Sequence, residues 1–280
     1  MKIHRNFMVI TAIFLILGTL LTGCSESDDT SLKVVTSTSH LEQLVQTIGG
    51  NLVDVINIVP AASHPGDFDA SPGDIRKLAD ADLFLWHNWP GEVYVPALIE
   101  SADNPDMEVV TIEIQGSWMT PQVQLQAIDK VSETLSRIDA DNAAEYEKNA
   151  EAYKDEVQAA EVEVKAMLSQ ESLSEVNVLC AGWQAGFIGW CGFKVVKTYG
   201  LPVPPTLGEI EELIGLGKEA GVSLVIDNLH DNPDAGKPIA SELGCKRVVL
   251  YNFPGVDTST KTWIDTFKTN VDLLLEAVSD

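Results

Sequence analysis

The sequence predicts an α/β protein built as two lobes, each with a parallel sheet flanked by helices, joined by one long backbone helix. Three observations carry this. Near-continuous Val/Ile/Leu runs alternate with amphipathic segments, the pattern of strands buried on both faces. The alternation stops near residue ~120 and restarts after ~172, so two units are the simplest account. Between them the stretch from Asp141 to Leu168 holds neither Pro nor Gly.

Taken in order, KVVTSTS (33–39) reads as a strand and LEQLVQTIGG as the helix after it. VDVINIVP (53–60) is a second strand, followed by the loop AASHPGDFDASPGD (61–74) and a helix in SPGDIRKLADA. ADLFLWH (81–87) is a third strand, VYVPALIESA (93–102) reads as extended, and EVVTIEI (108–114) closes the first lobe, assigned to residues 32–120. Residues 121–171 form a helix leading into the long linking helix at 141–168. There Tyr146, Ala150, Tyr153, Val157, Ala160, Val164 and Met167 recur at steps of four and three, one apolar stripe on one helix. The second lobe, 172–280, alternates VNVLCAG (176–182), FKVVKTYG, LGEIEELIGLGKEAG, VSLVIDN (222–228) and RVVLYNF (247–253) with helices.

The N-terminus sets the address. MKIHR is basic, FMVITAIFLILGTLL is uncharged and apolar, and LTGC ends at Cys24. This is an export signal of lipoprotein type, covering residues 1–23, with Cys24 as the lipidated first residue of the mature chain. The apolar run is shorter than the ~20 residues a membrane span needs. SESDDTS then reads as a solvated tether within residues 24–31. The mature chain is expected outside the cell membrane, held to its outer face by lipid.

Without Lys2 and Arg5 the mature chain carries 16 basic and 42 acidic side chains, a formal charge of −26. Nucleic acid is a poor partner for such a body, and cations are better ones. Cys180, Cys191 and Cys245 are an odd set and no disulfide framework. A Cys180–Cys191 bridge and two buried thiols both remain open.

In parallel sheets, ligands bind beyond the carboxyl ends of the strands. The mature chain has four histidines, and each lies at or just after such an end: His40, His64, His87 and His230, the last flanked by Asp227 and Asp231. Imidazole with carboxylate is the usual donor set for zinc, manganese and related ions. His64, His230, Asp227, His40 and His87 are therefore the expected metal ligands. Aromatic rings crowd the same edges: Trp89 in LWHNWPGE, Trp118 in QGSWMTP and Trp183 in AGWQAGFIGWCGF. A ring-lined cleft suits an organic ligand or a metal chelate better than a bare ion.

These residues resemble a family. The lipobox, VVTSTSHLEQLVQTIGG, VDVINIVP, SPGDIRKLADADLFLWHN, RIDADNAAEYEKNAEAY, VSLVIDN and TWIDTFKTNVDLLLEA are together similar to the solute-binding lipoproteins of ABC importers for zinc and manganese. The resemblance implies two α/β lobes of helical-backbone periplasmic-binding-protein type, a cleft between them, and a zinc- or manganese-class metal as cargo. It implies a permease and its ATPase subunit in the membrane as partners, and a monomeric receptor. The family's ligand positions fall on Gly66, on Gly116, near Ala181 or Asp227, and near Lys261, so only Asp227 is inherited as a ligand. This divergence implies a relocated site or a different ligand in the same cleft.

The leading expectation is thus capture of a transition metal or a complex containing one. The alternative is an organic or organometallic ligand, such as a chelate or tetrapyrrole, in the tryptophan-rich cleft. An enzyme would pair His64 or His230 with Asp69 or Asp227. The chain has no Gly-x-Ser-x-Gly, no His-Glu-x-x-His and no phosphate-cradling glycine motif, so no enzyme is expected. An adhesin with a vestigial cleft is the remaining reading.

Overall fold

A computed structural model describes residues 31–200 and 204–279. The export signal, the tether residues up to Thr30 and the lipidated Cys24 lie outside the described residues. Among the described residues no helix is long and apolar enough to cross a membrane.

The first sheet contains β1 (Leu32–Thr36), β2 (Val53–Asn57), β3 (Leu83–Trp86) and β4 (Glu108–Thr111). The second contains β5 (Asn177–Ala181), β6 (Lys194–Tyr199), β7 (Leu224–Asn228) and β8 (Lys246–Leu250). Both are parallel throughout, with the orders β2-β1-β3-β4 and β6-β5-β7-β8. The two lobes therefore repeat one topology. Helices α1 (Ser39–Gly49), α2 (Pro72–Ala79) and α3 (Val95–Ala102) serve the first sheet. Helices α4 (Pro121–Ile138) and α5 (Ala143–Leu168) follow, then α6 (Ala185–Cys191), α7 (Leu207–Ala220), α8 (Lys237–Leu243) and the terminal α9 (Trp263–Ser279).

Successive side chains of a strand face opposite ways, and both faces here are covered. Val34 of β1 and Leu83 and Leu85 of β3 enter a core common to both lobes, while Val35 and Phe84 enter a cluster private to the first. In the second lobe Val178, Cys180, Leu224 and Ile226 join the common core, and Leu179, Ala181 and Val225 the private one. The common core is organised along α5, whose Tyr146, Ala150, Tyr153, Val157, Ala160, Val164 and Leu168 are buried. Twenty-six residues give α5 a length of roughly 39 Å. Polar contacts tie it to both lobes: Asn149 Nδ2 donates to the Ile48 carbonyl at 2.9 Å, and Lys268 of α9 pairs with Glu163 at 2.6 Å. A rod packed on both lobes resists the hinge bending that a flexible linker would allow.

Four expectations need correction. VYVPALIESA is not extended; residues 95–102 are helical, because Pro96 sits in the first turn and Val95, Leu98 and Ala102 share one buried face. The long helix starts at Ala143, after a 3₁₀ turn over Ala140–Asn142, and its stripe ends on Leu168 instead of Met167. Most strands are shorter at their carboxyl ends than their apolar runs suggest; β8 ends at Leu250, which frees Asn252 and Phe253. His40 lies in the first turn of α1 and not in the preceding loop. Cys180 and Cys191 are buried free thiols, which selects the unbridged alternative.

Candidate functional site

The carboxyl ends of both sheets face a cleft of about 140 Å³ lined by His40, His64, Trp89, Trp118, Trp183 and Phe253, among others. Each sheet supplies loops to it. The segment after β1 brings His40, the β2 loop His64 and Pro65, the β3 loop Trp89 and Gly91, and the chain after β4 brings Gly116 to Met119. From the second lobe come Trp183 after β5, and Asn252 with Phe253 after β8.

Local chemistry sets each wall. Asn88 takes a φ of 61°, a left-handed conformation that asparagine tolerates better than most residues. The turn lays the His87 ring flat on Trp89, with centroids 3.7 Å apart and planes 2° from parallel. The buried Glu92 carboxylate fastens this loop: it accepts from the backbone N–H of Trp89 at 2.9 Å and of His87 at 3.2 Å, and from the Ser37 hydroxyl. Burial raises the Glu92 pKa, against the pull of these donors. Trp118 stands edge-on to both His87 and Trp89, at 4.3 and 5.7 Å. His40 packs between Trp118 and Phe253, at 5.5 and 5.1 Å.

The lobes are also bonded to each other around the cleft. Ser39 Oγ donates to the Pro254 carbonyl at 2.8 Å, and His230 Nε2 to the Ala61 carbonyl at 2.9 Å. The indole N–H of the buried Trp263 donates to the Trp118 carbonyl at 2.7 Å.

The five expected metal ligands separate on inspection. His40 is 3% exposed; its Nδ1 has no partner, while the ring's one hydrogen bond goes to the Asn252 backbone. Burial lowers its pKa to about 3, with the neighbouring His230 adding to the effect. His64 lines the cleft, and its Nδ1 accepts from the Gly66 N–H at 3.0 Å. His230 has both nitrogens engaged, since Nδ1 accepts from the Asn252 N–H at 3.2 Å while Nε2 donates to Ala61. Burial takes its pKa down to about 4. His87 is fully buried behind Trp89, with Nε2 2.7 Å from Thr38 Oγ1, and burial puts its pKa well below the ordinary range. Asp227 lies outside the cleft lining. Its buried carboxylate pairs with Arg247 and accepts from Tyr199 Oη and the Gly236 N–H, both at 2.7 Å.

Of the three expected cleft aromatics, Trp89, Trp118 and Trp183 all line the cleft, Trp183 at 46% exposure. Phe253, Asn252, Ser117 and Met119 line it unforeseen, and Glu92 supports it unforeseen. The signal for Asn252 and Phe253 was the strand-end rule itself, masked because the apolar run RVVLYNF reads on past the true end of β8. Nothing local marks Glu92 as buried.

The family's usual ligand positions are accounted for too. Gly66 has no room for a side chain while His64 holds its present place, since a Cβ there would lie 2.9 Å from His64 Nδ1. Gly116 lines the cleft with a φ of 114°, and Lys261 is exposed. Among the described residues no three His, Cys, Asp or Glu side chains are grouped to hold one ion. A bare divalent ion, which takes four or more donors, does not fit this lining.

Comparison with known proteins agrees with the architecture. The family model described as "ZnuA: Zinc-uptake complex component A periplasmic" matches residues 34–277. The manganese-binding lipoprotein MntA of Halalkalibacterium halodurans is 26% identical over 97% of this chain and 96% of its own. The high-affinity zinc uptake system protein ZnuA of Bacillus subtilis is 23% identical over 99% and 98%. The iron-binding protein YfeA of Yersinia pestis is 24% identical over 86% and 85%. Among solved structures, FpvC of P. aeruginosa in complex with Ni2+ superposes with a TM-score of 0.78 at 18% identity, covering 89% of this chain and 97% of that one. A Mn-bound periplasmic metal binding protein from candidatus liberibacter asiaticus does so at 0.76 and 18% identity, over 88% and 99%. At such identity the superpositions speak for the fold.

Proposed function

The chain belongs to the zinc-uptake component A family, and from that premise we propose that it is the extracytoplasmic receptor of an ABC importer, capturing transition-metal cargo of the zinc/manganese class between its lobes and handing it to a permease. The observation that carries this reading is the cleft itself. It lies beyond the carboxyl ends of two topologically repeated sheets, and its walls come from both lobes. Such a cleft holds cargo between two sheets' ends and presents it at a rim to which both lobes contribute, which is what transfer to a second protein requires. Relatives named as metal-binding lipoproteins over nearly their full length support the cargo class. Cys24 anchors the receptor by lipid, and it works as a monomer beside a permease driven by its ATPase subunit. His40 and His64 are the histidines of the cleft lining, while His87, His230 and Asp227 hold the scaffold around it.

Metal accumulation tests the reading. Cells lacking the protein, grown under chelation, accumulate less zinc or manganese than cells supplied with it, and Cys24→Ala releases it from the membrane. Equal accumulation of every first-row metal with and without the protein would overturn the receptor role.

A second reading, an organic ligand without metal, is favoured by one observation: three tryptophans and Phe253 line the cleft, and no carboxylate does. Binding of a metal-free organic compound, unaffected by added metal, would select it.

A further inference from the structure

The cleft is bounded by rings and by almost nothing that carries charge. Among the described residues, its lining contains no Asp, Glu, Lys or Arg. Each class of ligand meets such a wall differently. A bare metal ion finds no set of donors to replace its water. An anion finds no base to pair with, and approaches a mature chain of 42 acidic against 16 basic side chains. A primary ammonium brings three N–H donors, each in need of an acceptor. The lining side chains have theirs engaged: His64 Nδ1 accepts from the Gly66 N–H, and Asn252 Oδ1 accepts from Gln184 Nε2 at 2.8 Å. That leaves the Ser117 hydroxyl as the open oxygen among the described lining side chains.

What the walls do offer is aromatic surface, set at angles. The plane of Trp89 crosses that of Trp118 at 86° and that of Phe253 at 56°, so these rings form no parallel slot for a flat ligand. His87 covers one face of Trp89, and only the other face is open to a ligand. The chain is anchored beside each ring. Glu92 holds the Trp89 N–H, the Trp263 indole holds the Trp118 carbonyl, and Gln184, next to Trp183, holds Asn252, next to Phe253. Walls fixed in advance lose little freedom when a ligand enters.

The face of an indole carries the negative part of its quadrupole and attracts cations, more strongly than the other aromatic rings do. A fully alkylated nitrogen suits this surface. It has no N–H to satisfy, its charge is spread over its alkyl groups, and it is round instead of flat. The acidic body draws such a cation towards the cleft. The cavity of about 140 Å³ is close to the ~150 Å³ cavity that takes benzene, which is room for one small head group.

We propose that the cleft is an aromatic cage for a small quaternary ammonium ion, whose alkylated head is enclosed by Trp89, Trp118, Trp183 and Phe253. This rests on the second reading above, an organic ligand without metal, and names the class of that ligand. Binding involves no covalent or redox step.

Choline is the probe, and 3,3-dimethylbutan-1-ol is its control, the same shape with carbon in place of the charged nitrogen. Calorimetry on the mature chain at fixed ionic strength is expected to show choline binding more than fivefold tighter than the control. Ethanolamine, the unmethylated ammonium, should also bind more than fivefold more weakly than choline. Trp183→Ala, at a position 46% exposed, should weaken choline more than fivefold with an unchanged melting transition, and Trp183→Phe should recover part of the loss. Equimolar zinc(II) should leave choline binding as it was.

A control or an ethanolamine bound within fivefold of choline would overturn the cage. So would choline binding that zinc(II) abolishes, or that Trp183→Ala leaves within fivefold of wild type. The reading beneath it fails separately. If choline and its neutral control bind alike, an organic ligand stands and the cationic class falls. If neither binds and zinc(II) alone does, both fall and the metal cargo stands.

Discussion

His230 donates its Nε2 proton to the Ala61 carbonyl at 2.9 Å, and this bond joins the loop after β7 to the loop after β2. The same ring accepts at Nδ1 from the Asn252 N–H. One side chain thus satisfies a backbone acceptor of the first lobe and a backbone donor of the second.

Replacing it by Ala leaves both backbone groups without their partner. Both bonds are part-buried, so each group left unpaired costs about 1–2 kcal/mol, and His230→Ala should lose about 2–4 kcal/mol. In a domain of this size that lowers the melting temperature by about 5–12 °C. His230→Ala is expected to retain cargo binding, because neither of its nitrogens faces cargo. An unchanged melting temperature would show that the bond contributes nothing to stability.

Acid should loosen the protein through its buried imidazoles. His40 and His230 titrate near 6.5 when solvated, but at about 3 and about 4 in the fold. Between those values the unfolded chain binds more protons than the folded one, so stability rises with pH there. The contribution is fully present above about pH 6.5 and is lost as pH falls towards 4 and then 3. Urea unfolding at pH 7, 5.5 and 4.5 should show this fall, and the double variant His40→Phe, His230→Asn should show a shallower one. Equal slopes for both proteins would assign the acid sensitivity to other groups.

Gly66 and His64 should behave as a coupled pair. A Cβ at 66 meets the His64 ring at 2.9 Å, so Gly66→Ala displaces that ring and breaks its bond to the Gly66 N–H. The expected cost is about 0.5–1.5 kcal/mol, the usual net worth of one hydrogen bond. In a His64→Ala background the same substitution should be near neutral, and the difference measures the coupling. Additive effects in denaturant titrations would mean that His64 does not occupy this space.

The strand-helix alternation and the α5 stripe were legible because burial on two faces and a helical period leave direct marks in sequence. VYVPALIESA was misread because a short apolar run with one Pro suits a strand as well as a first helical turn. The site was legible as a region and less so as chemistry. The strand-end rule found the histidines and Trp89, Trp118 and Trp183, all of which gather at one end of the sheets. What it could not supply was the partner of each nitrogen. Whether His230 faces cargo or Ala61 depends on the meeting of two loops 169 residues apart. Asp227 shows the same limit from the other side. Its neighbour His230 approaches the cleft, while its own carboxylate is drawn towards Arg247 on β8.

Asp227 therefore provides the sharpest contrast between scaffold and site. The carboxylate is fully buried, and the Arg247 side chain keeps 23% exposure. Breaking a buried pair costs about 3–5 kcal/mol. Asp227→Asn should fall at or below the lower end of that range. Arg247 retains some water and also contacts Asp234 at 3.1 Å, and the amide can still accept from Tyr199 and Gly236. A loss of about 2–3 kcal/mol in chemical unfolding is expected. Cargo affinity of the folded variant should stay within about twofold, because Asp227 touches none of the cleft walls. If the variant instead melts normally and loses its cargo, Asp227 is a ligand after all, and the second lobe must rearrange to expose it when cargo binds.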